Sequence, residues 1–144
     1  MEMSPQEYQQ YVEQRSPKSP ILKDTALAFA VGGAICALGQ LIQNGYVSLG
    51  MERVDAGTAT SVTLVFFSAL FTGLNLYNSL ARYAGAGTLV PITGFANSVV
   101  SPAIDFKSEG LITGMAAKMF TVAGPVIVFG TLAAAVYGVV LMLI

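Results

Sequence analysis

RYAGAGTLVPITGFANSVVSPAIDFKSEG, residues 82–110, decides how this chain folds. Nothing between Arg82 and Asp105 is charged, so the stretch reads as membrane-depth sequence. It also contains Gly85, Gly87, Pro91, Gly94 and Pro102, which rule out one regular helix. Lipid offers no partner to a freed N–H or C=O. A broken backbone at that depth must be buried in protein or line a wet cavity. The segment is therefore expected to be a discontinuous span or a re-entrant loop.

Composition supports a membrane setting. The 144 residues are 54% hydrophobic and 10% charged. Soluble domains carry about 25% charged residues. A net charge of −1 gives no basic patch for nucleic acid. The chain has no His, which removes the usual general base and the commonest metal ligand. Cys36 is the single cysteine, so neither an internal disulfide nor a spaced zinc set can form. No nucleophile–base pair is evident, and the chain is read as non-enzymatic, with no cofactor and no metal site.

Uncharged runs place the spans. The reading is an all-α integral membrane protein with three or four transmembrane helices and a Gly/Pro-broken segment. Residues 1–24 form a polar tail, and residues 25–144 form one membrane domain. Spans are expected at about 25–44 and 58–80, a broken segment at 83–104, a half-helix at 110–122 and a final span at 124–144. A straight helix from Gly110 to Ile144 would be about 50 Å long, against a hydrocarbon core of about 30 Å. The natural break is at Gly124-Pro125. Lys118 then lies near an interface, where its stem can snorkel.

No cleavable signal is evident, because the first apolar run follows a polar stretch. In that stretch Ser4-Pro5-Gln6-Glu7 fits a capping box with Pro at the first helical position. Tyr8, Tyr11 and Val12 share one face, and Pro17 and Pro20 end the helix. It either rests on the membrane surface or docks a soluble partner. Arg15, Lys18 and Lys23 before the first span favour a cytoplasmic N-terminus.

Polar residues inside the spans are the candidate site. Ala28, Gly32, Gly33, Ala37 and Gly39 give the first span a small-residue face for close helix approach. Gln40, Gln43 and Asn44 cluster at its end. Ser61, Ser68, Thr72, Asn75 and Ser79 form one stripe on the second span. The stripe either bonds a neighbouring helix or, through Ser68, Thr72, Asn75 and Ser79, forms a pore wall. In the broken segment Gly85, Gly87, Pro91, Thr93, Gly94, Asn97 and Ser98 are conduit or gate candidates. Thr88 and Ser101 add further hydroxyls. Such a lining has no fixed charge and suits a neutral or charge-paired solute. Asp105, Lys107 and Glu109 form a boundary charge cluster, either a solvated membrane edge or a cation or gating site.

FAVGGAICALGQ, YAGAGTLVPITGFANS, FKSEGL and VIVFG together resemble the stage V sporulation protein AC / AE membrane family of endospore formers. The resemblance covers about residues 28–138. The polar tail and the GFANS and KSEG versions of the motifs are closer to the AC branch. Departures lie in the tail, around Gly50–Gly57, and at the end of the chain, where the family pattern adds a few polar residues. The resemblance implies a channel or permease subunit of the spore inner membrane. Its system imports dipicolinic acid with calcium into the forespore and releases it on germination. It also implies partners: other membrane proteins of the same operon and a soluble dipicolinate-binding subunit. Three or four helices rarely enclose a wide path, so a hetero-complex or homo-oligomer is expected. The alternative is a membrane scaffold that anchors the soluble partner through the tail.

Overall fold

The computed structural model describes residues 4–16 and 20–143. Pro17, Lys18 and Ile144, used above as helix stop, orientation signal and chain end, lie outside the described residues. Among the described residues every element is helical.

α1 is Pro5–Arg15. Its capping box is formed: the Glu7 N–H donates to Ser4 Oγ at 3.3 Å, and the Ser4 N–H donates to Glu7 Oε2 at 2.9 Å. Two of the orphan donors at the helix start are thereby satisfied. Tyr8, Tyr11 and Val12 are all exposed.

α2 is Ile21–Ser48, α3 is Arg53–Gly73 and α7 is Ala117–Leu143. Three helical stretches are long and apolar enough to cross a membrane: Ile21–Ser48, Arg53–Gly73, and α7 with the turn before it, Leu111–Leu143. The first is 28 residues, about 42 Å, so its opening turn, with Lys23 and Asp24, can lie beyond a core of about 30 Å. α2 and α3 form an antiparallel hairpin through a turn in which Gly50 has φ +95°. Tyr46 and Thr63 share a 2.8 Å side-chain hydrogen bond across it.

Three short helices lie between α3 and α7: α4 (Leu76–Ala84), α5 (Ala86–Leu89) and α6 (Ile92–Asp105). A 3₁₀ turn at Lys107–Glu109 and a π turn at Leu111–Ala116 lead into α7.

α2 extends beyond the expected 25–44 at both ends and α3 begins at Arg53 rather than 58, and two further boundaries differ in kind from the sequence reading. The helix expected to run through Leu80 ends at Gly73, because Asn75 takes a left-handed conformation (φ 59°, ψ 18°) and turns the chain into α4. Asn tolerates that region better than other side chains. The break expected at Gly124-Pro125 is not there: α7 continues through Pro125. The irregularity sits earlier, in the π turn. Residues 110–122 are thus not a separate half-helix. Proline inside a membrane helix is tolerated when neighbouring groups or local adjustment serve the freed carbonyl.

The interior is inverted relative to a soluble protein. The buried apolar residues are Ala56, Tyr77, Ala84, Ala96 and Ala103. No Leu, Ile, Val, Phe or Met among the described residues is fully buried. Phe29, Phe66, Phe129 and Leu132 point outward. A soluble chain would bury such residues first. In lipid they need no burial, and helices associate through small and hydroxyl residues instead.

Candidate functional site

The register between α3 and α6 fixes how the broken segment lies. Ser68 Oγ donates to the Thr93 carbonyl at 2.6 Å, and Thr72 Oγ1 lies 2.9 Å from Asn97 Oδ1. Both pairs are separated by 25 residues, so α6 runs parallel to α3. α6 starts beside Ser68, about 7 Å short of the end of α3 at about 1.5 Å per residue. Its 14 residues reach about 21 Å and emerge at the end where α3 finishes. At that end Arg82 and Tyr83 share a cavity with Asp24 and Thr25 of α2. The chain therefore dips in through α5, turns at Val90-Pro91 and leaves through α6 on the side it entered. This is a re-entrant loop. α7 then folds back against α6, with Lys118, Met119, Val122, Ala123 and Gly124 half-buried near its start.

Gly85 separates α4 from α5 with φ +49° and ψ −122°, a conformation closed to side chains. Gly87 presses on α2: a Cβ there would collide with the Ala28 carbonyl and stand 2.9 Å from Ala28 Cα. A Cβ on Gly32 would lie 3.3 Å from Gly87 Cα. Of the small-residue face of α2, Ala28 and Gly32 thus meet the loop, Gly39 faces Leu64 of α3, and Gly33 and Ala37 are exposed. Gly94 is equally tight: a Cβ would strike the Thr88 and Leu89 carbonyls. It is a packing glycine and does not border an open path.

The polar candidates divide. Ser68, Thr72, Thr88 and Thr93 are buried, and Asn97 and Ser98 are half-buried. The Tyr77 hydroxyl donates to the Thr88 carbonyl at 2.8 Å and lies 3.0 Å from Thr93 Oγ1. Thr88 Oγ1 donates to the Gly85 carbonyl at 3.0 Å, and Ser98 Oγ donates to the Phe95 carbonyl at 2.8 Å. The Thr72 hydroxyl also reaches the Ser68 carbonyl at 2.7 Å. Among the described residues no buried side-chain polar atom lacks a partner. The Tyr77 and Thr88 hydroxyls serve the Thr88 and Gly85 carbonyls at the break, and the remaining hydroxyls bond their own helix or bridge α3 to α6, so no buried hydroxyl is left dry and unpaired.

The stripe on the second span does not survive as one surface. Asn75 sits in the turn, and Ser61 and Ser79 are exposed away from the knot. Ser61 Oγ bonds only its own helix, to the Gly57 carbonyl at 3.1 Å. Pro91 caps α6 with extended geometry. Asp105, Lys107 and Glu109 are exposed at the loop exit. Next to them the Lys118 ammonium stands 4.2 Å from the centroid of the Phe106 ring, a cation–π contact.

Beside the knot is an apolar cavity of about 400 Å³ between α2, α3 and α4, bordered by Ile35, Leu38, Leu64, Phe71 and Leu80. Its surface is wholly apolar, because the hydroxyls of Ser68, Tyr77 and Thr93 are turned into the knot. The hub residue Tyr77 was not a sequence candidate. Its one signal is a phenol within an otherwise hydrocarbon run, which requires a partner when buried.

An inverted core, three spanning helices and a hydrogen-bonded re-entrant loop define a polytopic α-helical membrane protein. The chain belongs to the SpoVAC/SpoVAEB sporulation membrane protein family, whose profile matches residues 24–140. It is 46% identical over 134 residues to stage V sporulation protein AC of Bacillus subtilis (strain 168), covering 92% of this chain and 89% of that protein. No solved structure matches the chain.

Proposed function

We propose that this chain is a non-enzymatic channel or permease subunit of the spore inner membrane, carrying dipicolinic acid with calcium into the forespore and out again on germination. The observation that supports the reading best is the re-entrant loop. Its backbone is broken part-way across, at Val90-Pro91, where α5 ends and α6 begins. Such loops occur where backbone is buried in protein or borders a path. Gly85, Gly87, Pro91, Thr93, Gly94, Asn97 and Ser98 form or brace the gate. Ser68 and Thr72 anchor it to α3, and Asn75 and Ser79 face outward beside its entrance. A one-to-one calcium dipicolinate complex is neutral, which suits a lining without fixed charge. Asp105, Lys107 and Glu109 mark the solvated edge.

The polar groups of the knot are occupied with one another, so the path runs between subunits. The partners are other membrane proteins of the same operon, further copies of this chain and a soluble dipicolinate-binding subunit. The N-terminus is cytoplasmic in this reading. Exposure of Tyr8, Tyr11 and Val12 on α1 favours a second role, in which the tail anchors that soluble subunit and other chains carry the solute.

The test is the dipicolinate content of spores lacking only this gene, with and without a restored copy. Depletion rescued by the copy supports the proposal, and normal content overturns it. Deleting residues 1–20 from the restored copy separates the roles: lost recruitment with intact dipicolinate assigns the tail to docking alone.

A further inference from the structure

The α2–α3 hairpin end holds a second polar feature, opposite the re-entrant loop. A cavity of about 520 Å³ is lined by Gln40, Gln43, Asn44, Val47, Ser48 and Arg53. It contains one guanidinium and three carboxamides, and no carboxylate lines it. Glu52 and Asp55 flank Arg53 in sequence but stay outside the lining.

The donors there outnumber the acceptors. Gln40 Nε2 donates to Asn44 Oδ1 at 2.9 Å, so the Asn44 acceptor is engaged and its two N–H donors stay available. Ser48 Oγ donates to the Gly45 carbonyl at 2.7 Å. Arg53 brings five N–H donors in a planar fork. It stands in the first turn of α3, while the last turns of α2 wall the cavity opposite it, so the two helix ends offset each other and the guanidinium and carboxamides carry the preference for an anion. An oxyanion in this cavity would meet Arg53 in bidentate geometry and accept from the carboxamides.

We propose that this cavity binds a phosphate-type oxyanion at the membrane boundary. The position supports a phosphate source in the membrane. The cavity lies where two spanning helices join, the level at which lipid headgroups sit. A free phosphate ion satisfies the same donors. The inference is independent of the conduit.

The test uses the full chain purified in a neutral detergent. Phosphatidylglycerol, phosphatidylcholine or inorganic phosphate is added, and thermal unfolding and bound lipid by native mass spectrometry are read. Stabilisation and retained lipid with phosphatidylglycerol, and none with phosphatidylcholine, identify a headgroup site. Stabilisation by inorganic phosphate alone identifies a free oxyanion. Either supports the proposal, provided Arg53→Gln weakens binding about tenfold while Arg82→Gln does not. Gln43→Ala, an independent variant with the charge kept, weakens it several-fold. No response of the wild-type chain to any of the three overturns the proposal. So does an equal response in Arg53→Gln, or loss in Arg82→Gln of the same size.

Discussion

Ser68 Oγ donates a 2.6 Å hydrogen bond to the Thr93 main-chain carbonyl, tying the middle of α3 to the first turn of α6. Thr93 O lies at the start of a helix that begins inside the protein, where no water competes. Ser68→Ala removes this interhelical donor, while the Thr93 carbonyl, in the first turn of α6, keeps the intrahelical acceptor role that helix-start carbonyls have. We expect a loss of about 1 kcal/mol, the usual net contribution of one intramolecular hydrogen bond. Thermal unfolding in detergent measures it, and an unchanged midpoint would show that this bond does not hold the loop.

Gly87→Ala is expected to be far more damaging than Gly33→Ala. A Cβ at Gly87 meets α2 backbone, which cannot yield as a flexible side chain could, whereas Gly33 has open space within 4 Å. The expected cost at Gly87 is above about 2 kcal/mol, seen as lost folded yield. At Gly33 the exchange is neutral or slightly stabilising, because Ala favours the helix. Equal tolerance at both sites would refute the close α2–α5 contact.

Tyr77→Phe keeps the ring and removes the hydroxyl shared by Thr88 O and Thr93 Oγ1. The loop should open locally before the spans do. Amide hydrogen exchange at Ala86–Val90 is expected to quicken about tenfold, a shift of about 1.4 kcal/mol, with α2 and α3 unaffected. Uniform quickening across all helices would mean that Tyr77 acts on global stability instead.

The start of α1 is expected to weaken in acid. The Ser4 backbone N–H, and then its hydroxyl, hold the Glu7 carboxylate below the ordinary glutamate range. A depressed folded pKa contributes stability above the unfolded value and loses it as pH falls through the folded value. NMR titration of Glu7 checks the direction. Ser4→Ala should return Glu7 toward its ordinary pKa and fray the first turn, and no change on that substitution would rule out the capping box in solution.

Lys118 and Phe106 close the hairpin between α6 and α7. Phe106→Leu preserves the apolar volume but removes the ring face. The expected cost is about 1 kcal/mol, read as a lower unfolding midpoint. Lys118→Met should cost less than Lys118→Ala, because its stem also packs.

Sequence alone determined the membrane class, the approximate positions of α2 and α3, the α1 capping box and the impossibility of a regular helix from Gly85 to Pro102. Each follows from local physics: long uncharged runs match a bilayer, Ser4 and Glu7 are three residues apart, and glycine and proline act on their own backbone. Only the tertiary structure decided that the broken segment is re-entrant, because direction depends on register between helices distant in sequence. It also decided that Ser68 reaches the Thr93 carbonyl and Thr72 the Asn97 side chain, while Ser61 and Ser79 lie away from the loop. The stripe was drawn on a helix that Asn75 in fact ends, and a left-handed Asn carries no unique local signal. Pro125 marks the converse case: its local preference for a break yielded to the continuous helix of α7. Gly94 looked like a lining residue from its neighbours in sequence, but it is the Thr88 and Leu89 carbonyls across the turn that make glycine necessary there.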